Sequence, residues 1–327
     1  MKFIHCLILF LLTSTLVAQN DENVELQDSG PYSASLSAPP IHSGTEAFEV
    51  VLRVEFNEEV KVPQTVLSGV NLVFLDGTRE VGQILNRREG VAEVAAGTII
   101  RRTFEIDPGT ALSDLDTSRY QELRISWPGL SDATAIMRVA PDQGDLVVAD
   151  LDLRQTTVRL ITVRGEIVIE FWPDVAPNHV RNFIQLSKDG FYNGSRFHRV
   201  LKDFVIQGGC PNTKPGARGR PGTGSPGYTV DAEFSDKPHL PGVISMARGN
   251  NPNSAGCQFF LVQGQHARNL DRAYSAFGKI RQGMDVLEEL ANTAVRPLNP
   301  ADPRSEVSVP AEDLWLYAAV VEPVLKD

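Results

Sequence analysis

Two β domains in series, the second a barrel plugged at both ends by helices, are what this sequence predicts. Three observations predict them. Between residues 44 and 141, apolar side chains recur at every second position in short runs separated by turn signals, the period of half-buried strands, and no stretch has convincing helical spacing. Beyond residue 156 alternating runs return, now with two segments of helical spacing set far apart. The charge balance also changes: residues 19–150 hold 22 Asp and Glu against 10 Lys and Arg, a net of −12, while residues 151–327 hold 19 against 20, a net of +1.

A length of 327 residues suits two domains, each large enough to bury a core. With 42% hydrophobic and 22% charged residues the composition is that of globular protein, which excludes disordered, collagenous and multi-span membrane classes. An acidic first half and the lack of a basic stripe argue against nucleic acid or anionic lipid as a partner.

The chain opens with "MKFIHCLILFLLTSTLVAQN": a lysine, an apolar run too short to span a bilayer comfortably, then small residues. That order reads as a signal peptide over residues 1–18, cleaved after Ala18, and predicts an exported, periplasmic or secreted protein with no stable membrane insertion after cleavage. Cys6 leaves with it. Cys210 and Cys257 remain, and pairing between them stays open, because sequence does not place their Cα atoms.

Residues 19–43 are polar and rich in Ser and Pro, a flexible lead-in. "FEVVLRVEF" then sets Phe48, Val50, Leu52, Val54 and Phe56 on one face and Glu49, Arg53 and Glu55 on the other. The same signal returns in "VNLVFL" before Asp76-Gly77, in "TIIRRTFEI" after Gly97, in "ELRISW" before Pro128-Gly129, and in "TAIMRVA" ending at Pro141. Short strands between turns predict an antiparallel β-sandwich over 44–141. Its "VEFNEEVKV" is faintly similar to bacterial immunoglobulin-like modules, and no chemistry is expected of this domain beyond spacing or docking. Arg87, Arg88 and Glu89 read as a solvated loop.

A polar connection over 142–155 follows, and the second domain occupies 156–323. "VRLITVRGEIVIEFW" is a hairpin about Arg164-Gly165. In "PDVAPNHVRNFIQLSKDGFY", Val180, Phe183, Ile184 and Ser187 share a helical face between Pro177 and Gly190; "GMDVLEELAN" repeats the pattern with Val286, Leu287 and Leu290.

Six motifs occur in order: "APNHVRNFIQLSKDGFYNGSRFHRV", "FVIQGG", "GYTVDAEF", "GVISMA", "CQFFL" and "LDRAYSAFGKI". Together they resemble the cyclophilin family of peptidyl-prolyl cis/trans isomerases. The resemblance implies a closed eight-stranded antiparallel barrel capped by two helices, no cofactor and no metal, and proline-containing polypeptides as partners. Carried across position by position, it implies Arg199 as the catalytic arginine with Gln207 beside it, and Phe204, Val205, Phe260 and Leu270 as walls of a proline pocket. It further implies Ala247 and Arg248 as a rim strand pairing with the substrate backbone, and Gln258 at the neighbouring sub-site.

The residue types agree with that chemistry. Rotation about an X-Pro bond meets a barrier of about 18–20 kcal/mol and breaks no covalent bond, so no nucleophile is needed. Twisting localises the nitrogen lone pair, and a fixed donor aimed at it binds the twisted state better than either planar one. Arginine is always charged and its fork is rigid, while an apolar pocket excludes water. Taken singly, Arg199 is a surface ion-pairing arginine and Phe204 and Phe260 are core residues; the ordered motifs tip them to the functional reading.

Two positions depart from many eukaryotic members. Asn269 stands where they carry a rim tryptophan, and Tyr274 where they carry histidine, the latter as in bacterial members. The loss of an aromatic rim implies weak cyclosporin binding, and leaves open a weakly catalytic or non-catalytic proline-binding scaffold. "GTGSPG" matches a phosphate-loop spacing, but Pro226 prevents a helix from starting there, and the stretch reads as a long exposed loop beside the site. The sequon at Asn193 falls in a tight turn, and the six histidines show no paired ligand spacing.

Overall fold

The computed structural model describes residues 32–42, 47–64, 67, 69–86, 90–112, 114–128, 130, 133–265 and 267–325. The expected signal peptide, the start of the lead-in and the Arg87–Glu89 loop lie outside them. The chain divides into two compact units between Asp142 and Gln143.

Among the described residues, the first unit has ten strands: β1 (Tyr32–Ser37), β2 (Ile41–His42), β3 (Phe48–Phe56), β4 (Val60–Pro63), β5 (Val70–Asp76), β6 (Arg79–Asn86), β7 (Val91–Val94), β8 (Ile99–Ile106), β9 (Gln121–Ser126) and β10 (Thr134–Val139). One sheet runs β1-β3-β8, a second β2-β10-β9-β5-β6, and β4 pairs with β7. All pairs are antiparallel except β2 with β10, where Arg138 faces Ile41 and Val139 faces His42 in parallel. The predicted inner face of β3 is the buried one, and it shares a core with Leu72, Phe74, Leu123, Ile125 and Met137 of the other sheet.

The lead-in is shorter than expected, because residues 32–42 carry β1 and β2. The Ser residues of "YSASLS" read as linker, yet Ala34 and Leu36 alternate with them and bury beside β3. A single helical turn, α1 (Pro108–Ala111), also interrupts the all-strand expectation; Asp107 caps it by accepting from the Gly109 N–H at 3.0 Å.

The second unit begins before its first strand. The predicted connection over 142–155 is not a free linker, since Val148 and fully buried Leu151 belong to the barrel core and Leu151 bridges to Leu325. Apolar side chains this close to the sheet lose their water to it whatever the polarity of their neighbours in sequence. Eleven strands follow: β11 (Thr157–Thr162), β12 (Gly165–Phe171), β13 (Ser195–Phe197), β14 (Arg199–Leu201), β15 (Val205–Gly208), β16 (Val243–Met246), β17 (Phe259–Val262), β18 (Ala276–Gln282), β19 (Val295–Pro297), β20 (Val307–Pro310) and β21 (Leu314–Glu322). Nine of them form one sheet in the order β13-β21-β11-β12-β18-β16-β17-β15-β14, and β19 pairs with β20 outside it.

Nine strands replace the expected eight for a local reason. The two strands at the ends of that order, β13 and β14, are separated in sequence by His198 alone. One segment is interrupted there, its first half pairing with β21 and its second with β15. First and last strands of the barrel are also neighbours, with Thr157 facing Glu322.

Both predicted helices form, α2 (Pro177–Lys188) against β18 and β21 and α3 (Met284–Ala291) against β12 and β15. Val180, Phe183, Ile184 and Ser187 are buried as their spacing predicts, as are Val286, Leu287 and Leu290. Phe183 is the centre of an aromatic cluster, with ring centroids of Tyr192, Phe259, Phe277 and Phe171 at 5.1, 5.2, 5.3 and 5.9 Å. Ala176 supplies no side-chain cap to α2. Instead the Glu233 carboxylate accepts from the Asn178 and His179 N–H groups at 3.1 and 3.0 Å and from the Asn178 side chain at 3.0 Å, meeting donors that a helix start leaves unpaired.

Candidate active site

Strand alternation sorts this barrel into two apolar surfaces. Val200, Ile206, Ile244, Phe259 and Leu261 point into the barrel, while Val205, Val243, Phe260 and Val262, at the intervening positions, form a separate cluster on its outer side. The outer cluster continues through Ala267, Leu270 and Ala276, with Phe204, Ala247, Tyr274 and Trp172 packed partly buried against it. Every apolar residue predicted for the proline pocket is therefore in one patch.

The polar members border the same patch. Ladder register aligns Arg199 with Gln207, Gln207 with Phe260, and Phe260 with Ser245, one row across four strands. Phe260 is held from both sides: Tyr274 meets it edge-on at 5.6 Å and His239 stacks on it at 6.0 Å. The His239 ring is fixed by Asp271 at Nδ1 (3.1 Å) and by the Ser245 hydroxyl at Nε2 (3.0 Å). Burial holds its pKa below the ordinary value against the pull of Asp271, so the ring is neutral at neutral pH and serves Phe260 as a flat apolar support. Sequence reading missed this role, because His239, Ser245 and Asp271 form no recognisable spacing.

The turn feeding β15 depends on a close approach. Asp203 sits at φ 60°, its N–H donates to Gln263 Oε1 at 2.7 Å, and a Cβ on Gly264 would stand 1.8 Å from the Asp203 carbonyl oxygen. Only glycine admits that contact. It sets Phe204 over the patch, with the Phe204 carbonyl accepting from Gln263 and Gly264 N–H at 2.9 and 3.1 Å.

The amides form a chain of hydrogen bonds. Gln207, placed beside Arg199 by register, donates to Gln258 Oε1 at 3.1 Å, and Gln258 donates to the Gly222 and Gly224 carbonyls at 3.0 Å. Gln258 thus ties the long loop to the row. The guanidinium of Arg199 goes elsewhere: its Nε and Nη2 each donate to the Glu306 carboxylate at 2.7 Å. That hydrogen bond, ahead of the opposing effect of burial, holds Glu306 below the usual carboxylate range. Glu306 is the residue sequence reading failed to find; the only local signal is the alternation of "EVSVP", which marks a strand and says nothing of its partner.

His198, between β13 and β14, is pushed down to about 4, chiefly by burial and further by the Arg199 charge, so no second cation stands next to the arginine at neutral pH. On the rim, Ala247 donates its N–H to the Gln258 carbonyl at 2.9 Å. Arg248 lies over the Tyr274 ring at 4.7 Å and donates through Nε to the Ala273 carbonyl at 2.9 Å. Asn269 is exposed beside buried Leu270. Cys210 and Cys257 are free and buried. The Cys210 sulfur accepts the Gly222 and Gly224 N–H groups at 3.2 and 3.3 Å, which ties the loop to the barrel, and burial chiefly pushes the Cys257 thiol up to about 12.

Residues 157–309 match the family model described as cyclophilin type peptidyl-prolyl cis-trans isomerase. A peptidyl-prolyl cis-trans isomerase of Synechococcus elongatus is 40% identical over 139 residues, 42% of this chain and 90% of that protein. Peptidyl-prolyl cis-trans isomerase B of Bacillus subtilis is 38% identical over 130 residues, 39% of this chain and 85% of that protein. Among solved structures, a Cryptosporidium parvum cyclophilin type peptidyl-prolyl cis-trans isomerase, crystallised in the presence of the dipeptide Ala-Pro, aligns with a TM-score of 0.43 at 28% identity, over 51% of this chain and 99% of that one. With identity at this level along most of two bacterial isomerases, and with one barrel in this chain to carry it, the protein belongs to the cyclophilin-type peptidyl-prolyl cis-trans isomerase family and is an isomerase enzyme.

Proposed function

We propose that the barrel rotates X-Pro bonds by an arginine-assisted mechanism in exported, incompletely folded polypeptides. The observation that carries this reading is the single row of Arg199, Gln207 and Phe260 bordering the outer apolar patch. A prolyl ring seated against Phe204, Val205, Phe260 and Leu270 leaves its nitrogen within reach of a guanidinium that neither gives up nor takes a proton. Water excluded by the ring strengthens the hydrogen bond that forms as the nitrogen pyramidalises. The Arg248 main chain, which has no backbone partner among the described residues, is placed to pair with an extended substrate. The first unit acts as a docking or spacing module of immunoglobulin-like topology, a reading supported by its three- and five-stranded sheets, which share one core. Export rests on the first eighteen residues.

The deciding experiment is a protease-coupled assay of the full-length mature chain on an Ala-Pro peptide. Catalysis well above the uncatalysed relaxation of tens of seconds is expected. A folded protein with no such rate would leave the second reading, a weakly catalytic or non-catalytic proline-binding scaffold.

Asn269 also separates turnover from drug binding. In cyclophilins the rim tryptophan donates to cyclosporin and covers its apolar surface, whereas turnover depends on the arginine and the pocket. Asparagine is shorter and lacks the ring, a loss of about 1–3 kcal/mol. Inhibition by cyclosporin is therefore expected to be weaker than in a tryptophan-bearing member by roughly tenfold to a hundredfold. Asn269→Trp should recover much of that affinity and change peptide turnover little. Tight inhibition of the wild-type protein, or an active Asn269→Trp variant still indifferent to the drug, would overturn this.

A further inference from the structure

Arg199 is a long side chain on the outside of a sheet, 31% exposed, and its neighbours on the barrel do not hold it. Its register partner Gln207 is committed to Gln258, and Gln258 to the loop carbonyls. A free arginine in that place would spread over many rotamers, and a donor that must meet a transient lone pair gains most when its orientation is set beforehand. Among the described residues, the group that does hold it comes from outside the barrel. Glu306 immediately precedes β20, which lies against β14, and its carboxylate takes the Nε and Nη2 hydrogens at 2.7 Å each, the two-point geometry that fixes a guanidinium in its own plane.

We propose that Glu306 is a positioning residue for Arg199, gripping one edge of the guanidinium so that its Nη1 edge is presented to the bound proline. Two features of the support fit this role. Glu306 is itself anchored, because its main-chain carbonyl accepts the Leu298 N–H at 2.8 Å. The hairpin that bears it is closed at its base by the Ala311 N–H on the Ala294 carbonyl at 2.8 Å. The Nη1 hydrogens of Arg199 have no partner among the described residues, so the edge remote from Glu306 stays available to substrate. The carboxylate holds the Nε and Nη2 side of the fork, away from Nη1.

The inference rests on Arg199 acting in turnover, so the test separates the two. Four variants of the full-length mature chain, Glu306→Ala, Glu306→Gln, Arg199→Ala and the Arg199→Ala/Glu306→Ala double, are compared for kcat/KM on an Ala-Pro peptide, for peptide Kd and for Tm. Glu306→Ala is expected to lower kcat/KM by about tenfold, the scale of a misplaced catalytic group. Peptide Kd should stay within about twofold and Tm within about 2 °C, since a half-exposed pair adds little stability. Glu306→Gln keeps one acceptor at the same length and should recover part of the rate; it also serves should the alanine variant misfold. In the Arg199→Ala background, losing Glu306 should cost nothing further. Wild-type or faster turnover by both Glu306 variants, in a protein that Arg199→Ala disables, would overturn the inference and leave the mechanism standing; so would an equal loss with and without Arg199. Full turnover by Arg199→Ala would instead remove the mechanism, and this inference with it.

Discussion

Replacing Arg199 by alanine is expected to lower kcat/KM for an Ala-Pro peptide by at least about tenfold, a loss of about 1.4 kcal/mol or more of transition-state stabilisation. The size follows from how few donors the site offers. Gln207 donates to Gln258 and Gln258 to the loop carbonyls, and His198 is neutral at working pH, so no second cation stands beside the guanidinium to take over its task. The residual rate comes from the apolar patch, which still excludes water from the amide and favours its less polar twisted form. Peptide binding should survive, because Phe204, Val205, Phe260 and Leu270 belong to one apolar cluster in which Phe260 is held by Tyr274 and His239 and not by the arginine. The protease-coupled rate and a peptide titration on the same preparation check both halves. A folded variant with an unchanged rate would take Arg199 out of the mechanism.

The largest effect on stability is expected from Phe183→Ala. Phe183 is fully buried and touches four other aromatic rings of the barrel core. Removing a ring from such a place loses its transfer free energy and leaves a cavity that neighbours on a closed sheet cannot collapse into, for a total of about 3–5 kcal/mol. For a unit of this size that corresponds to a fall in Tm of roughly 10 °C. Urea unfolding followed by fluorescence measures the difference directly. A loss below about 1 kcal/mol would mean that the core is held elsewhere than around this helix.

What the sequence made legible, and what it did not, divides along one physical line. Long strands with one wet face, such as β3 and β9, carry their burial pattern in the identity of alternate residues, and so did both helices of the barrel. Strand β1 escaped because serine is indifferent to burial when its backbone is paired, and the pattern rested on Ala34 and Leu36 alone. Leu151 escaped because aliphatic residues scattered among charges look like a linker until the sheet they pack on is known. The outer apolar patch was legible through ordered motifs, since those residues answer to a shared surface. Glu306 was not: its partner lies 107 residues away, and a lone carboxylate in "PRSEVSVP" carries no record of the arginine it faces. Likewise the stacking of His239 on Phe260 depends on Asp271 arriving from another loop. Contacts between single polar side chains on separate elements leave no periodicity to read.

The partnership of β11 with β21 has a consequence for how such a chain is assembled over evolutionary time. With Thr157 beside Glu322 and Leu151 bridged to Leu325, the polypeptide enters and leaves the barrel at one spot. A module whose two ends meet can be cut from one gene and spliced into another as a cassette, because its neighbours attach at a single point and no element of its sheet has to be opened to admit them. Selection on whatever is spliced to it, here an acidic β unit, then proceeds without disturbing the row that carries Arg199, which lies on strands reached only by passing through the barrel's own sequence.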